Sequence, residues 1–427
     1  MKYSIYNSII KLSDNIVLLY NSFSDSFFLL NKTIEPKLRE PIEIKKTDLK
    51  LYRKLVCKNV YIYDQIDEFS RLKQFSYAKL TDEKNFFLIV NPTMDCNLQC
   101  WYCYEKHLKS CMTKDIYNRV LLLIDRTIKT GISSFTLGFF GGEPLLEYQS
   151  VVLPLIKYTH DKCFRNKKEF QFTFTTNGTL LNSNIIDELC KWGNPTFQIT
   201  IDGDENMHNK TRYFKNGKGT YSIILQNIKS LIAHNCKTTL RINYTKETIE
   251  TIWKALDDFN SLFQINKELL TIDFHRVWQD KDDNAILLSV KHLVNKLVKQ
   301  GFRVRYNELN EIKNACYADK KNTAVINYNG DIFKCTARDF TTKNREGYLE
   351  KDGTIVWEKD QQHRISLKLK NPLCQSCRIA PLCGGGCSRF ILEKEIDNEP
   401  YCIFGQNEQD IDNFIIDHLE YLLLKSK

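Results

Sequence analysis

No stretch of this chain is apolar for long enough to cross a bilayer. The longest runs, such as Phe27-Phe28-Leu29-Leu30 and Leu422-Leu423-Leu424, fall far short of the roughly 20 residues a spanning helix needs. The N-terminus, Met1-Lys2-Tyr3-Ser4, has no basic region, apolar core or cleavage site of a secretory signal. These absences lead to the expectation of a cytoplasmic chain with no membrane partner. There is no dense basic block and no nucleic-acid motif. With 61 Lys and Arg against 52 Asp and Glu the net charge is +9, mild for 427 residues. Scattered lysines make a solvated surface, so nucleic acid is not an expected partner, although a basic face can help to recruit an acidic peptide. No repeat of roughly 20–50 residues is present. Nor is the composition extreme: 42% apolar and 26% charged residues exclude a disordered or collagen-like chain. At about 150 residues per domain, two or three units are expected.

What the chain does have is 15 cysteines. A reducing cytosol argues against structural disulfides. Metal sites, catalytic thiols and plain buried thiols remain, and spacing must separate them.

Three segments are expected along the chain. Residues 1–85 hold three strands, Ser8 to Leu12, Asn15 to Tyr20 and Ser26 to Leu30, followed by helical patterns around Leu49 to Val56 and Asp67 to Lys79. Residues 86–305 alternate strands with amphipathic helices. The strands are Phe86 to Asn91, Phe135 to Phe140, Phe170 to Thr175, Phe197 to Ile201, Thr238 to Asn243 and Leu270 to His275. Six such alternations predict a parallel sheet with helices outside, of α/β class. A barrel of that type carries its active site at the C-terminal ends of the strands. Residues 306–427 are read as an irregular cysteine-rich segment, Cys316 to Cys402. It is closed by a docking helix with Ile411, Phe414, Ile415, His418, Leu419 and Leu422 on one face.

Cys96, Cys100 and Cys103 form a CxxxCxxC motif directly after the first barrel strand. Three thiolates on one loop can hold three irons of a cubane cluster and leave the fourth open, whereas electron-carrier cubanes use four cysteines. A structural zinc ion prefers four protein ligands, and the motif offers three; Cys111 is the nearest further thiol.

Cys96-Asn97-Leu98-Gln99-Cys100-Trp101-Tyr102-Cys103 resembles the signature loop of the radical S-adenosylmethionine (radical SAM) superfamily. The resemblance implies a partial (β/α)6 TIM-like barrel. In such a barrel the open iron chelates the methionine moiety of SAM, and reductive cleavage yields a 5′-deoxyadenosyl radical. It places Tyr102 beside the adenine. Phe139-Phe140-Gly141-Gly142-Glu143-Pro144 is similar to the family's GGEP-type motif, so Gly142 and Glu143 are expected at the methionine ammonium group. As plain local structure, the same residues make a Gly-Gly turn before a helix opening at Pro144. Thr200-Ile201-Asp202-Gly203 with His208 and Arg212 resembles a further segment. Thr200 is thereby assigned to the ribose and Arg212 to the carboxylate, a contact that arginine can make bidentate. Asp202 and His208 are read equally well as structural. Thr175-Thr176-Asn177-Gly178 and Arg241-Ile242-Asn243 resemble segments lining the same cavity, and Asn243 is taken as a cofactor contact. His275 ends the sixth strand and is read as structural.

The second cysteine region runs Cys316, Cys335, Cys374, Cys377, Cys383, Cys387, Cys402, with Gly384-Gly385-Gly386 between two of them. It looks like the SPASM domain, which in a subset of the superfamily carries two auxiliary clusters. The resemblance assigns Cys374, Cys377, Cys383 and Cys402 to an outer cluster and Cys316, Cys335 and Cys387 to an inner one. Three 4Fe–4S clusters and SAM are the cofactors implied. Some relatives carry a further cysteine shortly before the position of Cys316; residues 306–315 contain none, so the inner cluster has three identified ligands. Five cysteines are left over: Cys57, Cys111, Cys163, Cys190 and Cys236, expected to be small buried hydrophobes.

SPASM relatives include anaerobic sulfatase maturases, which have an acidic base directly after the cysteine matching Cys335. Here that position is Thr336, and Asp339 lies farther on. Others are peptide maturases that form thioether or carbon–carbon crosslinks. Many of these have an N-terminal winged-helix-like module that takes up a leader peptide as an added strand, and residues 1–85 have its size and order. The expectation is a peptide maturase acting on a precursor peptide with a leader, with reduced flavodoxin or ferredoxin as electron donor. Sulfatase-type formylglycine formation and a non-enzymatic zinc or iron–sulfur protein are the alternatives.

Overall fold

The structure, a computed structural model, describes residues 1–262, 266–280, 284–305, 313–396, 402–405 and 407–425. The chain gathers into two compact units. One is Met1–Asp82, Asn307–Lys321 and Asp360–Lys427; the other is Glu83–Tyr306 and Asn322–Lys359. The units thus cut across the three consecutive segments expected from the sequence. The two ends of the chain share one unit, and part of the cysteine-rich segment belongs to the barrel.

In the first unit, β1 (Lys2–Tyr3) pairs antiparallel with β5 (Tyr61–Ile62). Strands β2 (Asn7–Lys11), β3 (Ile16–Asn21) and β4 (Ser26–Asn31) form an antiparallel meander. All three lie where the alternation of apolar and turn residues predicts them. Helices α1 (Pro41–Thr47), α2 (Leu49–Cys57) and α3 (Glu68–Leu80) follow. Strand β3 is covered on both faces, which is why Val17-Leu18-Leu19-Tyr20 is an unbroken apolar run. Leu19 packs with Leu38, Ile44, Leu55 and Val60.

The second unit holds one sheet of eleven strands among the described residues. Strands β6 (Asn85–Val90), β7 (Ser134–Phe139), β8 (Glu169–Thr176), β9 (Thr196–Ile201), β10 (Lys237–Tyr244), β11 (Leu270–Arg276) and β12 (Arg303–Arg305) run parallel and in sequence order. Between them come α4 (Lys114–Ile128), α5 (Leu153–Arg165), α6 (Ser183–Cys190), α7 (Glu205–Thr211), α8 (Tyr221–Ala233), α9 (Lys246–Leu262) and α10 (Asn284–Lys299). Phenylalanines stack from strand to strand, Phe139 on Phe174 and Phe174 on Phe197, each at 5.1 Å between ring centres. The six predicted barrel strands are all present.

The region after the barrel is not irregular. Strand β13 (Thr323–Ile326) pairs parallel with β6, and β14 (Asp331–Phe333), β15 (Gly347–Leu349) and β16 (Ile355–Trp357) extend the sheet antiparallel. Each is three or four residues long, too short for its alternation to stand out in a sequence.

The first unit is completed by α11 (Gln361–Ser366), α12 (Ala380–Cys383), α13 (Ser388–Ile396) and α14 (Glu408–Lys425). The docking helix predicted from its apolar face is α14. Its Ile411, Ile415 and Leu419 are buried with Ile10, Leu18 and Tyr20 of the meander and with Ile379 and Leu382. A polar lock sits beside this core: Asp25 accepts from Tyr20 Oη at 3.0 Å and Lys313 Nζ at 3.0 Å, and pairs with His418 Nε2 at 2.7 Å.

Candidate functional site

Strand β6 delivers the chain into the loop of Cys96, Cys100 and Cys103, and the Gly-Gly-Glu turn after β7 holds that loop. Gly142 N donates to Thr93 O at 3.1 Å and Glu143 N to Asp95 O at 2.8 Å. The approach admits no side chain. A Cβ on Gly142 would stand 2.1 Å from Asp95 O, and one on Gly141, at φ +106°, would stand 2.5 Å from Thr93 O. Both glycines are therefore required by backbone contact.

The Glu143 carboxylate is buried and engaged by the protein. It accepts from Thr176 Oγ1 at 2.8 and 2.9 Å, Asn177 N at 2.7 Å and Leu145 N at 3.0 Å. It ties the end of β7 to the end of β8; a contact with a ligand's ammonium group would have to share those acceptors. Asn177 extends the tie to the loop, with Nδ2 2.8 Å from Asn97 Oδ1 and 3.8 Å from Cys96 Sγ. The Thr-Thr-Asn-Gly segment is thus nearer to the loop than its sequence signal indicated. Asp95 with Lys215 at 2.9 Å, and Asn97 with Thr179 at 2.9 Å, complete a frame in which Lys215 and Thr179 had not been singled out.

Cys96 and Cys103 are each electrostatic neighbours of Cys100. Burial pushes the Cys96 thiol up to about 12 and Cys103 to about 11, and raises Cys100. Buried thiols of this kind stay protonated until a cation takes the proton's place, so metal binding here releases protons. Among the described residues, no group of three or more His, Cys, Asp or Glu side chains closes around a single metal ion. Three neighbouring thiols on one loop are the donor set of a cluster that takes each thiolate on its own iron.

Next to the thiols lies a buried polar knot. Tyr102 Oη donates to Asp202 Oδ2 at 2.6 Å and accepts from Arg212 Nη1 at 2.8 Å and Asn243 Nδ2 at 3.0 Å. Arg212 Nη1 lies 3.9 Å from Asp202 Oδ2. Asp202 directly follows β9 and Asn243 nears the end of β10, at the C-terminal rim where a barrel site is expected. Thr200 is half-buried on β9, in register with Arg241. Burial raises the Asp202 carboxyl to about 6, against the lowering influence of Arg212 and Tyr102. Among the described residues, two buried atoms of the knot, Asp202 Oδ1 and Arg212 Nε, have no hydrogen-bond partner. A buried polar atom left so is costly, and a ligand with its own polar groups would relieve both. A carboxylate satisfies the guanidinium and an ammonium or hydroxyl the aspartate, which is the chemistry of an amino-acid end such as that of SAM.

His208 is structural, as one of its two readings held. Its Nδ1 accepts from Asp202 N at 3.2 Å, and its Nε2 lies 3.0 Å from Thr220 Oγ1, whose own proton goes to Arg212 O at 2.8 Å. That pattern needs a neutral ring protonated on Nε2, and burial lowers its pKa accordingly. His275 pairs with Asp273 at 2.9 Å. An aromatic rim had not been read from the sequence. Trp278 stacks on Tyr104 at 5.6 Å with Arg338 5.1 Å from its ring, and Gln279 Nε2 donates to Tyr102 O at 2.9 Å. Its signal was positional: Trp278 stands just past the end of β11.

In the first unit Cys374, Cys377, Cys383 and Cys402 come together. Each of the other three thiols adds to the upward shift at Cys374, which burial carries to about 12, and Cys377 and Cys402 do so at Cys383, which reaches about 11. Gly384, Gly385 and Gly386 all have positive φ, 59°, 85° and 84°, a run that only glycine sustains. Cys316 and Cys387 are exposed in this unit, while Cys335 belongs to the other. The residues just before Cys316, 306–312, lie outside the described ones. The leftover cysteines are not all buried: Cys163 and Cys236 are, Cys190 is partly so, and Cys57 and Cys111 are exposed. Cys57 closes a surface helix and Cys111 stands in an open loop, where nothing covers them.

Residues 90–259 match the model of the Radical SAM superfamily. The cysteine-type anaerobic sulfatase-maturating enzyme of Clostridium novyi is 24% identical over 343 residues, 72% of this chain and 88% of its own length. Among solved structures, native anSMEcpe with bound AdoMet and Kp18Cys peptide aligns with a TM-score of 0.60 at 19% identity, over 79% of this chain and 97% of that one. Streptococcus suis SuiB bound to precursor peptide SuiA aligns at 0.51 and 18% identity, over 92% and 97%. The two structures share this chain's fold.

Proposed function

We propose, from the radical SAM domain this chain carries, that it is a maturase that modifies a ribosomally made precursor peptide. The observation that carries the reading is the knot of Tyr102, Asp202, Arg212 and Asn243 beside three clustered thiols, with two buried polar atoms unpartnered. Cys96, Cys100 and Cys103 would hold the SAM-cleaving cluster, and Arg212 and Asn243 would take the polar end of SAM. Tyr102 would leave its present partners to lie along the adenine, and Thr200 would meet the ribose. Gly142 and Glu143 brace that loop through backbone hydrogen bonds. Cluster and SAM together supply a carbon radical able to take hydrogen from an unactivated carbon, which no side chain can do. The barrel contributes position and exclusion of water.

The gathering of Cys374, Cys377, Cys383 and Cys402 supports an outer auxiliary cluster. The inner set, Cys316, Cys335 and Cys387, rests on the SPASM resemblance. A peptide substrate is supported by the two similar solved structures, one bound to Kp18Cys peptide and the other to precursor peptide SuiA. For leader uptake, β4 is a six-residue strand that, among the described residues, is paired on one side only, to β3. Such an edge can accept an added strand. The product would be a thioether or carbon–carbon crosslink, with reduced flavodoxin or ferredoxin supplying the electron.

Formylglycine formation is the second reading, favoured by the match to the Clostridium novyi enzyme over most of both chains. Thr336 after Cys335 leaves that chemistry without the expected base. Anaerobic incubation with SAM, reductant and either a precursor peptide or a CxPxR-type peptide separates the two by mass spectrometry. A crosslink lowers the precursor mass by two hydrogens; conversion of cysteine to formylglycine in the second peptide would replace the first reading. Cys100→Ala should abolish 5′-deoxyadenosine formation, and Cys374→Ala should spare some of it while product is lost.

A further inference from the structure

The geometry points to a dithiol that closes to a disulfide: Cys190 at the end of α6 and Cys236 just before β10. This site is independent of the SAM chemistry. The two Sγ atoms lie 3.6 Å apart, and both belong to the barrel unit.

The contact is held from two directions. His234 Nε2 pairs with Asp187 Oδ1 at 2.9 Å, and Asp187 and Cys190 stand three positions apart on α6, the spacing that puts side chains on one helix face. They match His234 and Cys236, two positions apart in the turn. That turn is fixed as well: Asn235 has φ 58°, and Cys236 N donates to Leu231 O at 2.9 Å. Two thiols fixed in this way meet as an intramolecular pair, without the entropy loss of a bimolecular encounter.

Cys190 is partly exposed and Cys236 is buried, which orders the steps. The Cys190 thiolate attacks one sulfur of a small-molecule disulfide such as oxidised glutathione. The sulfur–sulfur bond breaks, one glutathione leaves as its thiol, and a mixed disulfide forms. Cys236, losing its proton to solvent, then attacks Cys190 Sγ and expels the second glutathione. Two protein thiols are oxidised, one disulfide is reduced to two thiols, and the protons end on the thiols released. Burial and the neighbouring thiol hold the Cys236 pKa up, so closure quickens as pH rises. The bridge would join the foot of α6 to the start of β10, at the opposite ends of the strands from Asp202 and Asn243.

The test is oxidised glutathione added anaerobically to the intact holoenzyme, followed by acid quench, alkylation and peptide mapping. The expected result is a peptide pair joined through Cys190 and Cys236, formed faster at pH 8.5 than at pH 7. In Cys236→Ser the crosslink should be lost completely, with Cys190 retaining one glutathione. Wild-type protein that keeps a stable glutathione on Cys190 would overturn the inference. So would protein in which both thiols stay alkylatable under conditions that modify the exposed Cys57 and Cys111.

Discussion

Asp202 is a carboxyl placed where its ion is disfavoured. In an unfolded chain it would titrate near 3.8; burial raises it to about 6. The folded state therefore suffers no penalty from it below about pH 4. The penalty grows as pH rises through 4 to 6 and is fully present above. The rise from 3.8 to about 6 corresponds to about 3 kcal/mol. Asp202→Asn should accordingly melt a few degrees above wild type at pH 7.5, with the gain shrinking towards pH 5. Identical melting shifts at both pH values in calorimetry would rule the account out. Arg212 makes a second residue-scale case. Arg212→Lys keeps the charge and loses the planar fork, so SAM affinity by equilibrium dialysis should fall roughly 10- to 100-fold, the value of a charged hydrogen bond. Both residues were legible in the sequence because a motif named their positions. Thr179 and Lys215 were not, since threonine and lysine are common loop residues and only the folded geometry shows what they brace.

Among the elements, the turn after β7 is the most constrained. Gly142→Ala places a Cβ 2.1 Å from a backbone oxygen of the cysteine loop, and backbone cannot yield as a flexible side chain can. Iron and sulfide analysis after anaerobic reconstitution should show loss of about one cluster's worth of iron, with 5′-deoxyadenosine formation reduced at least ~100-fold, the effect of an ångström-scale misplacement. Wild-type iron content in this variant would show that the loop tolerates the shift. The barrel strands were readable because a buried parallel strand is a long apolar run bounded by turns. Strands β13 to β16 gave no such run. β13 is held by pairing with β6, distant in the chain, while β14, β15 and β16 each pair with the strand before it, and runs of three or four residues leave little local trace.

For the molecule as a whole, the two ends of the chain depend on each other. Ile411, Ile415 and Leu419 of α14 complete the core of the β2–β3–β4 meander. Ile415→Ala should destabilise that unit by about 2–5 kcal/mol, the usual range for emptying a buried isoleucine site. Limited proteolysis should then cut within residues 1–82 faster than in wild type, and an unchanged cleavage rate there would refute the dependence. The apolar face of α14 was visible in the sequence, but its partner was not, because amphipathicity tells that a face is buried and not against what.

The pairing of β13 with β6 also sets an order of events during synthesis. Translation runs from the N-terminus at ~5–20 residues per second, so β6 leaves the ribosome long before residues 323–326 exist. During that interval its outer edge is bare, a template for pairing with another chain. The cysteine loop it carries is already made, yet hangs from a strand with one neighbour. Iron loading on the nascent chain would meet an unfinished scaffold, and chaperone cover of that edge would matter most just before residue 326 emerges.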